Sequence, residues 1–190
     1  MTRNPWRERY LVFGAPSIGA EERRELLACV DSGWLGSGPR VARFEREFRA
    51  YVDVPETVAV SSCTAALHLA LRALRLEPGS EVITTAMTFC ATANAIVHAG
   101  LTPVFVDCER DTMNIDPAAL AARIGPRTGA LLPVHFAGRP CDMGRIMDLA
   151  RERGVRVVED CAHAIEATVD GRHCGTFGDF GCFSFYVTKM

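Results

Sequence analysis

Four short stretches of this chain carry side chains whose types and places could do chemistry together. Lys189 closes the segment Gly181-Cys182-Phe183-Ser184-Phe185-Tyr186-Val187-Thr188, one residue before the sequence stops at Met190. Such an amine becomes a nucleophile only where it is desolvated and deprotonated. Its flank, Phe183-Ser184-Phe185-Tyr186, alternates like a strand that would deliver Ser184 to one face. Asp160 follows the run Val155 to Val158 and offers a carboxylate. Ser61-Ser62-Cys63-Thr64 follows another apolar run and opens a helix, placing hydroxyls and N–H groups at a positive helix end suited to phosphate. Met87-Thr88-Phe89 ends a third run with an aromatic that could stack on a planar ring.

An amine for an imine, a carboxylate against a ring nitrogen and a phosphate cradle are together what pyridoxal chemistry needs, because a protonated ring works as an electron sink. Taken singly, each stretch has a plainer reading. Ser61 to Thr64 can be an ordinary N-cap, Asp160 an N-cap aspartate, Phe89 a core side chain and Lys189 a solvated lysine. Their order along the chain, each beyond a strand-like run, is what raises the chemical reading.

The elements that must position them follow a repeat of short apolar run, turn and amphipathic helix. Runs at Thr57 to Val60, Glu81 to Thr85, Thr102 to Val106, Gly129 to Val134 and Val155 to Val158 alternate with helical patterns at Thr64 to Leu74, Ala91 to His98, Pro117 to Arg123 and Met143 to Arg153. The runs are apolar throughout, which predicts strands buried on both faces, hence an α/β fold with a mostly parallel, doubly wound sheet. Ligands of such sheets bind beyond the carboxyl ends of the strands. Asp116 before Pro117 marks a helix start, and Gly154 a helix stop. Two further helices are expected at Ala20 to Ser32 and Val41 to Val52, and Val169-Asp170-Gly171-Arg172 suits a tight hairpin.

Composition narrows the function classes. The chain has 190 residues, 48% of them hydrophobic, enough for one sizeable core, and a formal charge of −2 with no basic stripe, which argues against nucleic acid as partner. Met1 to Tyr10 carry no apolar run of the secretory kind and no stretch is apolar enough for a membrane span, so a cytoplasmic protein is expected. Eight dispersed cysteines read as reduced thiols. Cys161 with His163, and His173 with Cys174, lack the spacing that lets two metal ligands converge from one turn, so no metal site is expected. Asp179-Phe180-Gly181 spells a kinase triplet without the companion loops, and the glycines of Gly33 to Gly38 do not follow a strand as a dinucleotide fingerprint would.

Over nearly all of its length the chain resembles the DegT/StrS family of pyridoxal-phosphate-dependent sugar aminotransferases. The resemblance rests on Ser32 to Pro39 (Ser-Gly-Trp-Leu-Gly-Ser-Gly-Pro), Ser62 to His68, Thr88 to Asn94, Val134 to Pro140, Glu159 to Ala164, and Phe183-Ser184-Phe185 with Lys189. It implies a large domain of the aspartate aminotransferase kind (fold type I), with the chain comprising an N-terminal segment and that cofactor domain over residues 1–190. The family's glycine-rich segment, later strands and small C-terminal domain would then be missing. The resemblance further implies pyridoxal 5'-phosphate as cofactor. Lys189 would form the Schiff base and Asp160 would pair with the ring nitrogen, these two being the catalytic residues. His163 would touch the phenolic oxygen, where many relatives have glutamine. Phe89 would stack on the ring, and Cys63 through its backbone, Thr64 and Ser184 would hold the phosphate. Cys63 stands where glycine is frequent. The reaction implied is transfer of an amino group from an amino acid, commonly glutamate, to a nucleotide-linked keto sugar, by a homodimer in the full-length form. Two other readings are a truncated, non-catalytic remnant or interaction subunit, and a sugar dehydratase, against which the lysine counts.

Overall fold

The computed structural model of the chain describes residues 14–189. The opening stretch read above for a secretory signal, and Met190, lie outside the described residues. Two helices, α1 (Ala20–Asp31) and α2 (Pro39–Val52), precede the α/β unit. The turn between them packs Trp34 on Gly38, where a Cβ would lie 1.9 Å from Nε1 and force a shift of the ring, whose N–H is bonded to the Ser37 carbonyl at 2.7 Å. Then follow α3 (Cys63–Ala73), β1 (Glu81–Thr85), α4 (Cys90–His98), β2 (Thr102–Val106), α5 (Pro117–Arg123), β3 (Thr128–Leu132), α6 (Met143–Arg153) and β4 (Arg156–Cys161). A small hairpin of β5 (Thr168–Val169) and β6 (Arg172–His173) leads to β7 (Phe180–Phe183).

The local signals act as their chemistry requires. Asp116 accepts the Ala118 N–H at 2.8 Å and Pro117 sits at the first helical position of α5, while Gly154 ends α6 at φ 64°. In the hairpin turn Asp170 and Gly171 both have positive φ, as a turn that matches strand twist demands.

Five strands form one parallel sheet in the order β2-β1-β3-β4-β7. Helices cover both faces. Leu67 and Leu71 of α3 and Ala95 and Ile96 of α4 pack on one side, and Leu120 of α5 with Met143 and Ile146 of α6 on the other. β1, β3 and β4 are buried nearly throughout, as apolar runs predict. β2 is half exposed because it is an edge strand with one neighbour. The order reverses at β1, from which the chain crosses first to β2 and later to β3, so the crevice of the sheet opens between β1 and β3.

Three expectations need correction. Thr57 to Val60 is not a strand and joins no ladder. Its polar groups turn instead to α2, with the Thr57 hydroxyl bonded to the Glu45 carbonyl at 2.6 Å and the Ala59 N–H to Glu45 Oε1 at 2.8 Å. β4 continues past Val158 to Cys161, because its pairing with β7 runs from Val158 to Cys161, so Asp160 lies in the strand and not beyond it. β7 ends at Phe183, so Ser184 to Tyr186 is not strand. There the chain leaves the ladder, and the Tyr186 N–H bonds the Ser184 hydroxyl at 3.4 Å instead.

Candidate active site

A cleft of about 420 Å³ lies at the carboxyl ends of β1, β3, β4 and β7, against the first turns of α3 and α4. Cys63, Thr64, Phe89, Asp160, His163, Ser184 and Lys189 all line it. The structure therefore brings these seven residues together from four separate stretches.

Asp160 is held from all sides. Its N–H donates to the Pro133 carbonyl at 2.9 Å, and its own carbonyl accepts the His135 N–H at 3.1 Å. Oδ2 accepts the Thr92 hydroxyl at 2.8 Å and Oδ1 the Ala162 N–H at 3.1 Å. The residue is 4% exposed. Burial pushes its carboxyl above the usual carboxylate range, opposed by the hydrogen bonds from Thr92 and Ala162 and by the charges of His163 and His135.

At the start of α3, Ser62 caps the helix by accepting the Ala65 N–H at 3.1 Å. The N–H groups of Cys63 and Thr64 have no acceptor among the described residues, so they remain available as the anion-binding end of an eleven-residue helix. The N-cap reading and the phosphate reading thus describe different groups of the same turn. The Cys63 thiol points away from solvent, toward the Cys182 carbonyl at 3.5 Å, and burial pushes it up to about 12, so it stays a neutral thiol.

Lys189 lies across the cleft. Its Nζ is 2.8 Å from His163 Nε2. Burial and the lysine charge both hold His163 below its ordinary value, so the ring nitrogen is the acceptor and the amine the donor. Phe89 is 74% exposed and lines the cleft; it is not a core side chain. Ser184 is buried.

Glu159, next to Asp160 in β4, points to the other side of the strand. It is fully buried, and its two oxygens accept the N–H groups of Gly175, Phe177 and Gly178 at 2.7 to 2.8 Å and face His135 Nε2 at 3.0 Å. His135 Nδ1 accepts the Cys141 N–H at 3.0 Å, so the ring proton sits on Nε2 and is donated to Glu159. Glu159 thereby ties the loop ahead of β7 to the strand that carries Asp160. His135, Glu159 and Cys161 converge closely enough to hold a metal, but the first two are spent on each other and burial keeps the Cys161 thiol protonated.

Thr92, Glu159 and His135 are the site's supports that the sequence reading did not single out. A signal for the first two was present. Thr92 shares a helix stripe with the core residues Ala95 and Ile96, at spacings of three and four, where a polar side chain needs a partner. Glu159 is a charge inside an apolar strand run, which is tolerated only if fully bonded.

The donor set suits pyridoxal phosphate. Unpaired helix N–H groups and the Thr64 and Ser184 hydroxyls match a phosphate, a buried carboxylate matches a pyridinium nitrogen, and a partly buried amine matches an aldehyde. No helix among the described residues is long and apolar enough to cross a membrane.

Comparison with known proteins agrees. The chain is 50% identical over 183 residues to the spore coat polysaccharide biosynthesis protein SpsC of Bacillus subtilis, covering 96% of this chain and 47% of that protein. It is 42% identical over 177 residues to the GDP-perosamine synthase of Caulobacter vibrioides, covering 93% of this chain and 48% of that one. Among solved structures, Spr1654 of Streptococcus pneumoniae in its PLP form superposes with a TM-score of 0.90 at 36% identity, over 94% of this chain and 50% of the other. The chain thus spans about half the length of these relatives. The profile of the DegT/DnrJ/EryC1/StrS aminotransferases matches residues 16–190, and the chain belongs to that pyridoxal-phosphate-dependent family of sugar aminotransferases.

Proposed function

We propose that this chain carries the cofactor-holding part of an aminotransferase that moves an amino group from an amino acid, glutamate in the first instance, to a keto sugar linked to a nucleotide. The observation that carries the reading is the placement of Asp160 and Lys189 on one cleft together with the unpaired N–H groups of Cys63 and Thr64. The sugar class rests on the named activity of the Caulobacter vibrioides relative.

When bound, pyridoxal phosphate supplies an electron sink for the charge left when a proton is removed from the amino donor. The chain's own residues would do the rest. The first turn of α3, with Thr64 and Ser184, would hold the phosphate dianion. Asp160, fixed by four hydrogen bonds, would keep a negative charge at the ring nitrogen. Phe89 would cover one face of the ring and exclude water. Lys189 would hold the cofactor through Nζ and, when released, carry a proton as base and then as acid. His163 Nε2, a neutral acceptor 2.8 Å from that amine, favours an orientation in which the lysine lone pair turns to the cleft once its proton is lost.

The test is borohydride reduction of the protein with pyridoxal phosphate, followed by peptide mass mapping, and then assay with glutamate and a panel of keto nucleotide sugars. The expected result is a stable adduct on Lys189. Lys189 is the chain's single lysine, so an adduct on the N-terminal amine, or none, overturns the site assignment.

A further inference from the structure

Thr88, two residues ahead of α4, and Thr92 in its first turn have their hydroxyl oxygens 2.6 Å apart. Thr92 is completely buried, and Thr88 opens on the cleft. The Thr92 oxygen is also 2.8 Å from Asp160 Oδ2. Each hydroxyl has one proton. An ionised carboxylate can only accept, so the Thr92 proton must go to Asp160, and the Thr88 proton must go to Thr92. The direction of the chain is thus fixed by the charge at its end.

We propose that Thr88 and Thr92 form a two-hydroxyl chain that positions Asp160 and holds it as a carboxylate, which makes Thr92 a positioning residue for the chemistry of the cleft. This rests on the proposed cofactor reading for its consequence, though not for its geometry. A buried carboxylate favours the neutral acid unless donors oppose desolvation, and Thr92 offers the side-chain donor among the described residues. The Ala162 N–H serves the other oxygen. A polarised second hydroxyl behind Thr92 strengthens the first bond. Other groups facing Asp160 are the imidazoles of His135 and His163 and the thiols of Cys63 on α3, Cys161 on β4 and Cys182 on β7. Burial raises all three thiols, so they stay neutral between pH 5 and 8.5; His135 is bonded through both ring nitrogens, Glu159 faces away, and His163, held below its ordinary value by burial and the lysine charge, is the group left to compete near the acid end.

The experiment compares wild type, Thr92→Val, Thr92→Ser and Thr88→Val by thermal unfolding without cofactor from about pH 5 to 8.5. Asp160 has a raised folded pKa, so its ionisation costs stability as pH rises. Removing the Thr92 hydroxyl raises that pKa further. The midpoint difference between wild type and Thr92→Val is therefore expected to widen as pH rises. Thr92→Ser should stay near wild type, Thr88→Val should shift in the same direction by less, and the pH dependence of the difference should vanish in an Asp160→Asn background. A Thr92→Val loss that is equal at every pH, or that keeps its pH dependence in that background, overturns the proposal and leaves Thr92 a packing residue. A second arm measures pyridoxal phosphate affinity at pH 8, where Thr92→Val should bind about ten- to hundredfold more weakly. Should wild type bind no cofactor, the cofactor reading fails while the unfolding arm still decides the hydroxyl chain.

Discussion

At one end of the cleft Asp160 has both carboxylate oxygens bonded and its backbone paired in the sheet, whereas at the other Lys189 makes one side-chain contact, to His163, among the described residues. The acid sits in a strand with the core on either side, and the amine is carried by a turn residue six positions past the end of β7, whose backbone N–H is bonded to the Tyr186 carbonyl at 2.8 Å. The contrast fits the two tasks proposed for them. A charge that must stay opposite a ring nitrogen gains from being over-determined, while an amine that must let go and carry a proton gains from being held by one bond that is easily exchanged.

The largest expected effect breaks the loose end. Lys189→Ala should abolish the borohydride-stable adduct while changing unfolding stability by no more than about 0.5 kcal/mol, because a single part-buried hydrogen bond is lost. Mass mapping and denaturant unfolding read the two outcomes separately. A protein that keeps the adduct, or that unfolds, would show that the amine is not the loosely held group described.

The next breaks the tight end. Glu159→Ala should cost about 3–5 kcal/mol, since it leaves three backbone N–H groups and the Nε2–H of His135 buried without an acceptor. Denaturant unfolding measures this. A loss below about 1 kcal/mol would mean that the loop at Gly175 to Gly178 is not tied to β4 through this side chain.

A smaller effect tests the contact that joins the two ends. His163 has a lowered folded pKa, so above the ordinary histidine value of about 6.5 it contributes nothing to pH dependence, and as pH falls through that value the unfolded chain takes up a proton that the folded one resists. Stability is lost on acidification. His163→Gln should flatten the cofactor-free stability profile between about pH 6.5 and 5, modestly, because the ring is partly in solvent. An unchanged slope would assign that loss to other groups.

How far this site was legible in sequence follows from where its interactions run. The helices announced themselves through caps and stripes, since Asp116, Pro117 and Gly154 act within one turn of where they stand. The seven residues proposed for the site were named from the family motifs, and they line one cleft. The bonds that hold Asp160 and Glu159 were not legible, for Thr92 precedes Asp160 by 68 residues and Gly175 follows Glu159 by 16. Thr57 to Val60 shows the opposite failure. Its β-branched pattern reads as a strand, but pairing depends on a neighbour, and Glu45 supplied the hydrogen bonds instead.

The smallest expected effect extends the contrast to the rest of the molecule. α1 and α6 both read as amphipathic helices, yet α6 buries Met143, Ile146 and Ala150 against the sheet while α1 buries no residue, leaving Leu26, Leu27 and Val30 more than 60% exposed. Burial, not pattern, sets what a leucine contributes, because only area removed from water is stabilising. Ile146→Ala should therefore cost about 2–5 kcal/mol. Leu27→Ala should stay within about 0.5 kcal/mol. Urea unfolding of the two variants at several protein concentrations checks both. A Leu27→Ala loss near that of Ile146→Ala, growing with protein concentration, would show that this face of α1 is covered by a second copy of the chain in solution.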